Sequence, residues 1–201
     1  MEYRIRKAES GERHQIARTI AFSFEKDYSG ITKDMDRFAK ALESGIDVNR
    51  FIIAEQDDRM VGIIACADCT GRVVTPSKKD CRKHLGFFRG SIAFMVLKEE
   101  FIQPLTYPPT TGCIDIVGVL KESRGKGIAK ALLKEAISTN PQYTEFVLNV
   151  TDINTSAIKL YESFGFVEYE RVPYRFAKQA GFDAKIYMKY KKKEASLPFP
   201  L

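Results

Sequence analysis

Hydrophobic positions along the chain switch repeatedly between the spacing of a helix and that of a strand. Apolar residues recur every three or four positions over 10–24, which predicts an amphipathic helix, whereas the continuous apolar run over 113–120 predicts a strand buried on both faces. By the same criteria, the predicted strands are 3–6, 50–55, 60–66, 113–120, 145–150, 166–172 and 184–190. The predicted helices are 10–24, 33–44, 78–101, 126–138 and 154–164.

The order of these elements predicts an α/β fold. The strand, turn, helix and strand over 113–150 form a βαβ unit, which should be parallel and right-handed. The strands over 50–55 and 60–66 are joined by a polar turn of four residues and predict a hairpin. Consecutive strands near each end also favour antiparallel pairing. We therefore predict a mixed, mostly antiparallel sheet of about seven strands with helices on both faces.

Length and composition favour one domain. The chain has 201 residues, of which 44% are hydrophobic, and we expect a single domain over 1–190 followed by a basic, proline-containing tail over 191–201. The charged N-terminus does not resemble a signal peptide, and there is no run of about 18 apolar residues. We therefore expect a cytoplasmic protein that does not span a membrane. The last predicted strand leaves a homodimer as a further expectation.

The net charge of +6 has two interpretations. It can serve solubility, or it can attract an anionic ligand such as a nucleotide cofactor or a nucleic acid. Nucleic-acid binding is the weaker hypothesis, because the chain contains no recognisable reading helix or aromatic RNA motif.

The cysteines leave one metal site to be weighed. Cys66 and Cys69 form a CxxC pair, and Cys81 and His84 a CxxH pair, which together are four candidate zinc ligands. Cys66 ends a predicted strand, however, and residues three apart on a strand face opposite sides. The interpretation we prefer is therefore incidental or buried thiols and no metal.

A glycine pair lies where the helix over 126–138 should begin. Gly125 and Gly127 have Arg124, Lys126 and Lys130 beside them. A helix N-terminus presents unpaired N–H groups that bind phosphate, and glycine lets phosphate approach the main chain. The sequence matches neither the Walker nor the GxGxxG pattern, but it does match Arg-x-x-Gly-x-Ala directly after a Val-Gly-Val strand. The alternative is a tight turn without a ligand.

A second motif follows the next predicted strand. Residues 154–166 fit the pattern Asn-x-x-Ala-x-x-Leu-Tyr-x-x-x-Gly-Phe. Together the two motifs resemble those of the GNAT superfamily of N-acetyltransferases, closely over about 113–172 and more loosely before it. The segment over 70–112 is longer than the usual connection in that family. The resemblance implies acetyl-CoA as cosubstrate and a primary amine, on a small molecule or a protein, as acceptor.

The resemblance also implies roles for individual residues. Main-chain groups of Val117 and Val119 would pair with the pantetheine arm, and amides from Arg124 to Ala129 would hold the pyrophosphate. Asn154 would bind the cofactor near the arm. Tyr161 would give a proton to the leaving thiolate, the alternative being a core residue. The full implied cofactor-binding set is Val117, Gly118, Val119, Arg124, Gly125, Lys126, Gly127, Ile128, Ala129, Lys130 and Asn154.

The reaction requires a base, because an ammonium group must lose a proton before it attacks the thioester. Asp115 is on the same predicted strand as Val117 and Val119, and a period of two places it on their side. We take Asp115 as the candidate base. The alternative is a structural carboxylate neutralised by a nearby lysine.

The acceptor side is predicted to lie in three segments, over 22–31, 70–112 and 173–182. Their candidate aromatic walls are Phe24, Tyr28, Tyr107, Tyr174 and Phe176, and Glu25 and Asp27 are candidates for attracting a cation. The function predicted is transfer of an acetyl group from acetyl-CoA to an amine by direct attack in a ternary complex. The alternative is a catalytically silent CoA-binding sensor or regulatory module on the same fold.

Overall fold

A mixed sheet forms the centre of the computed structural model, which describes residues 2–174 and 181–192. Its strands are β1 (Arg4–Lys7), β2 (Phe51–Gln56), β3 (Arg59–Ala67), β4 (Thr111–Val119), β5 (Glu145–Thr151), β6 (Val167–Pro173) and β7 (Ala184–Lys191). Their order across the sheet is β1-β2-β3-β4-β5-β7-β6. Every neighbouring pair is antiparallel except β4 and β5, which are parallel. The predicted sheet is confirmed.

Helices cover both faces of this sheet, as predicted. They are α1 (Arg13–Ser23), α2 (Glu25–Tyr28), α3 (Met35–Glu43), α4 (Lys78–Leu85), α5 (Phe87–Phe101), α6 (Ile128–Ser138) and α7 (Thr155–Ser163). Apolar residues of α1 to α5 form one buried cluster against the sheet, and those of α6 and α7 form a second cluster on the opposite face. In the described ranges, no helix combines the length and apolarity needed to cross a membrane.

The single helix predicted over 78–101 is wrong, because Gly86 divides it into α4 and α5. Gly86 has a φ of 85°, a left-handed value that ends α4 while its N–H still bonds the Arg82 carbonyl. Gly90 then permits the two helices to touch, since a Cβ there would lie 2.3 Å from the Cys81 carbonyl oxygen. The result is a helical hairpin that packs on the same face as α1 and α3.

The hairpin of β2 and β3 turns over two residues, not the four predicted. Gln56 pairs with Arg59, so only Asp57 and Asp58 form the turn. Their φ values are 51° and 56°, as in the type I′ turn that suits the twist of a hairpin. Aspartate tolerates this conformation less well than glycine does.

We expect Asp58→Gly to raise the free energy of unfolding by about 1 kcal/mol, because it relieves the left-handed backbone. Urea denaturation of the variant and the wild type measures the change. An unchanged or lower midpoint would contradict the strain argued here.

The sheet is divided at its centre. The parallel ladder between β4 and β5 covers only Thr111 to Cys113 on one strand and Glu145 to Val147 on the other. Beyond these residues, β4 continues to Val119 and β5 to Thr151 without pairing to each other. A gap therefore opens between two central strands, and it is followed directly by the glycine turn.

Candidate active site

The turn between β4 and α6 contains two glycines with left-handed backbone. Gly125 has a φ of 77° and Gly127 a φ of 78°, and the helix begins at Ile128 rather than at the predicted Lys126. A residue with a Cβ would be strained at both positions. The residues over 124–127 are exposed, so the turn is open to a ligand.

The main-chain amides of this turn are available for binding. Ala131 is the first residue of the helix whose N–H bonds a carbonyl of the turn, that of Gly127, at 3.0 Å. Among the described residues, no hydrogen-bond acceptor faces the six amides over 125–130. Unpaired amides at the start of a helix favour an anion. The exposed side chains of Lys126 and Lys130 add positive charge there.

The Arg124 side chain connects the glycine turn to β4 and α1. Its Nε donates to the Val119 carbonyl at 3.0 Å, and its Nη2 donates to the Ser23 carbonyl at 2.8 Å. The side chain therefore joins the end of β4 to the end of α1. Its charge lies near the turn, but both of these hydrogen bonds are made to main-chain carbonyls of the protein.

The main-chain groups of Val117 and Val119 face the gap. The Leu120 N–H bonds the Val61 carbonyl on β3, and successive residues of a strand direct their main-chain groups to opposite edges. Val117 and Val119 therefore direct theirs away from β3. That they pair with the arm of a cofactor, as the resemblance implies, stays a prediction.

Gly118 permits α1 to lie close to β4. A Cβ on Gly118 would approach both Cβ and Oγ of Ser23 to 3.0 Å and the ring of Phe24 to 3.3 Å. The Ser23 Oγ is itself buried and, among the described residues, has no hydrogen-bond partner. A buried hydroxyl without a partner is costly, so this atom favours a polar ligand group beside β4.

Tyr161 lies in the buried cluster of α6 and α7. It is 7% exposed, and its ring packs against Phe166 at a centroid distance of 5.9 Å. The same cluster contains Ile114 of β4 and Leu148 of β5, the two strands that separate. Burial raises the pKa of Tyr161 to about 12, which keeps its proton in place at neutral pH. Its hydroxyl makes no hydrogen bond within the described ranges.

Asn154 is the N-cap of α7. Its Oδ1 accepts a hydrogen bond from the Ala157 N–H at 3.2 Å and another from the Ser156 hydroxyl at 3.1 Å. The side chain thus has a structural role in starting the helix. Its amide nitrogen forms no hydrogen bond to a described residue.

The prediction that Asp115 shares a face with Val117 and Val119 is wrong. A bulge separates Ile114 from Ile116 where they pair with β3, and Asp115 has no residue opposite it. A bulge shifts the alternation of side chains by one residue. The two valines consequently pack on the side of α6, while Asp115 points toward α5.

A buried arginine neutralises Asp115. Arg72 donates from Nε and Nη2 to the two carboxylate oxygens at 3.0 and 2.8 Å, and the side chains are only 13% and 5% exposed. Burial raises the pKa of Asp115, and the guanidinium opposes that rise. The partner is an arginine rather than the lysine considered from the sequence. A carboxylate held by two charge-assisted bonds is better suited to a structural role than to taking up a proton.

The four candidate zinc ligands do not come together. Cys66 packs in the cluster on the α6 face and Cys81 in the cluster on the α4 face, while Cys69 is exposed in a turn. Across the described part of the chain, no group of three or more potential ligands has the arrangement of a metal site.

Residues of the first two predicted acceptor segments, over 22–31 and 70–112, pack on the face of the sheet that carries α1 to α5. Tyr28 is buried against Phe38, and the Tyr107 hydroxyl lies 3.1 Å from that of Tyr169 on β6. Tyr174 stacks with Phe182 at 4.5 Å. Phe176, most of the loop around it and the tail beyond residue 192 lie outside the described residues.

Sequence reasoning missed Glu100. This residue lies in the last turn of α5, and its carboxylate accepts a hydrogen bond from the Tyr28 hydroxyl at 3.2 Å. In the sequence, the charged run around Glu100 is typical of an ordinary solvated helix face. Only the folded chain brings it to Tyr28 and Arg72, so no local signal marks it.

Solved structures with the same fold include N-acetyltransferases. An N-acetyltransferase from Staphylococcus aureus Mu50 has a TM-score of 0.60 at 17% identity, covering 93% of this chain and 100% of that one. A ribosomal-protein-alanine N-acetyltransferase from Brucella melitensis has a TM-score of 0.61 at 17% identity, covering 94% and 99%. The NatC complex bound to Gag peptide and CoA has a TM-score of 0.57 at 15% identity, covering 96% of this chain and 100% of that one. No match is found among curated protein sequences.

The family follows from the sequence itself. The model of the acetyltransferase (GNAT) family matches residues 14–166, which include the divided strands, the glycine turn and α7. The chain belongs to the GNAT acetyltransferase family.

Proposed function

We propose that this protein transfers the acetyl group of acetyl-CoA to a primary amine by direct attack in a ternary complex. The observation that carries the proposal is the gap between β4 and β5, which ends at a left-handed glycine turn with six amides that have no acceptor among the described residues. A thin, hydrogen-bonding arm with a diphosphate at its end fits that shape. Acetyl-CoA would supply a thioester, whose acyl carbon is activated toward nitrogen.

The chain's own groups divide the work of binding. The amides over 125–130 would hold the diphosphate, with Lys126 and Lys130 adding attraction. Main-chain groups of Val117 and Val119 would fix the arm as a substitute strand. The Asn154 amide would bind the cofactor from the start of α7.

Proton transfer would finish the reaction. Tyr161 is buried and keeps its proton at neutral pH, and we assign it the proton that the departing thiolate requires. A desolvated hydroxyl next to a developing negative charge has no competing water to displace.

Thermal unfolding with and without acetyl-CoA tests the binding step. At a concentration a hundred times Kd, acetyl-CoA should stabilise the fold by about 2.7 kcal/mol and raise the Tm by several degrees. An unchanged Tm at saturating acetyl-CoA would contradict the proposal. Binding without CoA release on a broad amine panel would instead favour the sensor alternative.

We expect Tyr161→Phe to lower kcat by about 10²- to 10⁴-fold, because the thiolate then leaves without a proton donor. The Tm increase caused by acetyl-CoA should remain. CoA release followed with a thiol reagent measures the turnover.

Tyr143→Phe is the matched control. Tyr143 is also buried on the α6 face, but its hydroxyl donates to Asp68 at 2.7 Å, outside the predicted site. This variant should retain wild-type turnover. Equal activity of the Tyr161 variant and the wild type would remove the acid role.

A further inference from the structure

Glu100 lies beside the gap, on the face opposite Tyr161. The Nη2 of Arg72 donates both to the Glu100 carbonyl and to Asp115 Oδ1, each at 2.8 Å. Asp115 comes two residues after Cys113, the last β4 residue that pairs with β5. One guanidinium therefore fixes the end of α5 to the point at which the two strands separate.

A buried tyrosine positions the Glu100 carboxylate. The Tyr28 hydroxyl donates to its Oε2 at 3.2 Å, and Tyr28 is only 5% exposed. The tyrosine ring is itself fixed between Phe38 and Phe24, at centroid distances of 4.7 and 6.5 Å. The carboxylate is therefore held at a defined place, although the residue it belongs to is accessible.

The surroundings of Glu100 combine access with desolvation. Solvent reaches the residue, yet protein surrounds it closely enough that burial raises the pKa of its carboxyl. A carboxylate with a raised pKa is better matched to taking a proton near neutral pH.

The charges that face Glu100 leave room for a cation. They are those of Asp27 on α2, Asp115 on β4 and Lys185 on β7, while Tyr28 contributes a neutral hydrogen-bond donor. Asp115 is neutralised by Arg72, whereas Glu100 makes no ion pair with any residue in the described ranges. Lys185 lowers the pKa of Glu100 only at longer range. Burial also raises the pKa of Asp27.

A second observation on the same side of the sheet is independent of these carboxylates. The Ser23 Oγ, at the end of α1, is buried against Gly118 and has no partner among the described residues. Ser23 precedes α2, which carries Tyr28 and Asp27. An unpaired buried hydroxyl by the gap favours a polar ligand group on this face of β4.

We propose that Glu100, held by Tyr28, binds the ammonium group of the acceptor and takes up its first proton. The acceptor class is therefore a cationic primary amine, which enters on the α1–α5 face while acetyl-CoA lies in the gap. The inference rests on the proposed function and adds to it the acceptor site and the base. It assigns to Glu100 the role that Asp115 cannot fill while Arg72 holds it.

The protons and bonds balance. The ammonium gives one proton to Glu100, and the free amine attacks the acyl carbon, forming a C–N bond. The C–S bond breaks, and the thiolate takes a proton from Tyr161. The second proton of the amine restores Tyr161 through solvent, and Glu100 releases its own proton to solvent.

The test compares Glu100→Gln with Glu99→Gln, since Glu99 is the exposed neighbour on the same helix. With acetyl-CoA and a panel of spermidine, tryptamine and trialanine, Glu100→Gln should lower kcat/KM by about 10²- to 10⁴-fold for every amine that the wild type acetylates. Glu99→Gln should match the wild type. Glu100→Asp should recover part of the loss. The urea midpoints and the Tm increase with acetyl-CoA should be unchanged in all three variants.

The pH profile separates a base from a merely structural residue. Wild-type kcat/KM should fall on the acidic side as Glu100 is protonated, at a higher pH than an exposed glutamate would give. Glu100→Gln should lose that acidic limb. Wild-type kcat/KM and an unchanged acidic limb in Glu100→Gln would overturn the inference.

Direct binding keeps the two proposals distinguishable. In calorimetric titrations of the CoA-bound protein, the same amines should bind to the wild type and lose at least tenfold in affinity in Glu100→Gln. If acetyl-CoA fails to bind or no amine is acetylated, the proposed function fails. If, in addition, the wild type and Glu100→Gln bind the amines with equal affinity, the acceptor site is overturned as well. If the wild type acetylates amines and Glu100→Gln does so equally, only the acceptor site is overturned.

Discussion

Replacing Gly125 and Gly127 together with alanine is expected to weaken acetyl-CoA binding by about a hundredfold. Each glycine has a left-handed φ near 80°, which costs an alanine about 1–2 kcal/mol. A loop that relaxes to avoid this strain must recover its shape when the ligand binds, and about 1.4 kcal/mol corresponds to a factor of ten in affinity. Isothermal titration with acetyl-CoA measures the loss.

The protein itself offers little steric resistance to these substitutions. A Cβ on Gly125 would contact nothing within 4 Å, and one on Gly127 would meet only the Tyr3 hydroxyl at 3.8 Å. The expected loss of acetyl-CoA affinity would therefore arise from the changed backbone conformation and from the loss of the space that a phosphate needs. Gly11→Ala is the control, because its Cβ also meets nothing and its backbone is not left-handed. Wild-type affinity in the double variant would contradict the role of the turn.

Removing the guanidinium that neutralises Asp115 is expected to be the most destabilising single change considered. Arg72→Met leaves a buried carboxylate without a counter-ion and removes the hydrogen bonds to the carbonyls of Glu100 and Gln103. Loss of one partner of a buried pair costs about 3–5 kcal/mol. Urea denaturation at pH 7 measures the free energy of unfolding.

Two further variants identify the cause. Arg72→Met combined with Asp115→Leu should recover part of the loss, because no unpaired charge remains. Arg171→Met breaks a pair with the same two-bond geometry, to Glu168, but on the exposed face of β6. It should cost less than about 1 kcal/mol. Equal losses in the Arg72 and Arg171 variants would contradict the argument from burial.

The pH dependence of the Arg72 variant has a definite sign. Burial is the largest influence on the pKa of Asp115. Without the Arg72 guanidinium, only the weaker effects of the Val73 N–H and of Arg50 oppose it, so the folded-state pKa should lie above the unfolded value. The deficit in stability is then largest above the folded-state pKa, where the buried group is charged. It should shrink as the pH falls through that pKa, because the protonated carboxyl carries no charge.

The strands, the glycine turn and α7 could be predicted because their signals are local. Apolar runs mark β4 and β5, and the glycines mark the turn where a helix-forming sequence begins. The face of Asp115 could not be predicted, since the bulge opposite Ala65 and Cys66 depends on how β3 pairs with β4. Periodicity describes one strand and carries no information about its neighbour.

Glu100 shows the same limit for the candidate site. Its partner Tyr28 is 72 residues away in sequence, and Arg72 is 28 residues away. Each contact exists only because the hairpin of α4 and α5 returns to the sheet beside α2. The sequence places the segment over 70–112 on the acceptor side, which stays a prediction, and it does not single out Glu100 within that segment.

The three-residue ladder between β4 and β5 has a mechanical consequence. In most sheets the central strands are the stiffest part, because each is bonded along its full length to both neighbours. Here the two central strands, β4 and β5, are bonded to each other over only part of their length. The segment from β5 to β7 is therefore attached to the remaining strands mainly by that short ladder and by side-chain packing. A molecule bound between β4 and β5 would connect the two parts of the sheet mechanically, so the rigidity of the whole sheet should depend on whether that molecule is present.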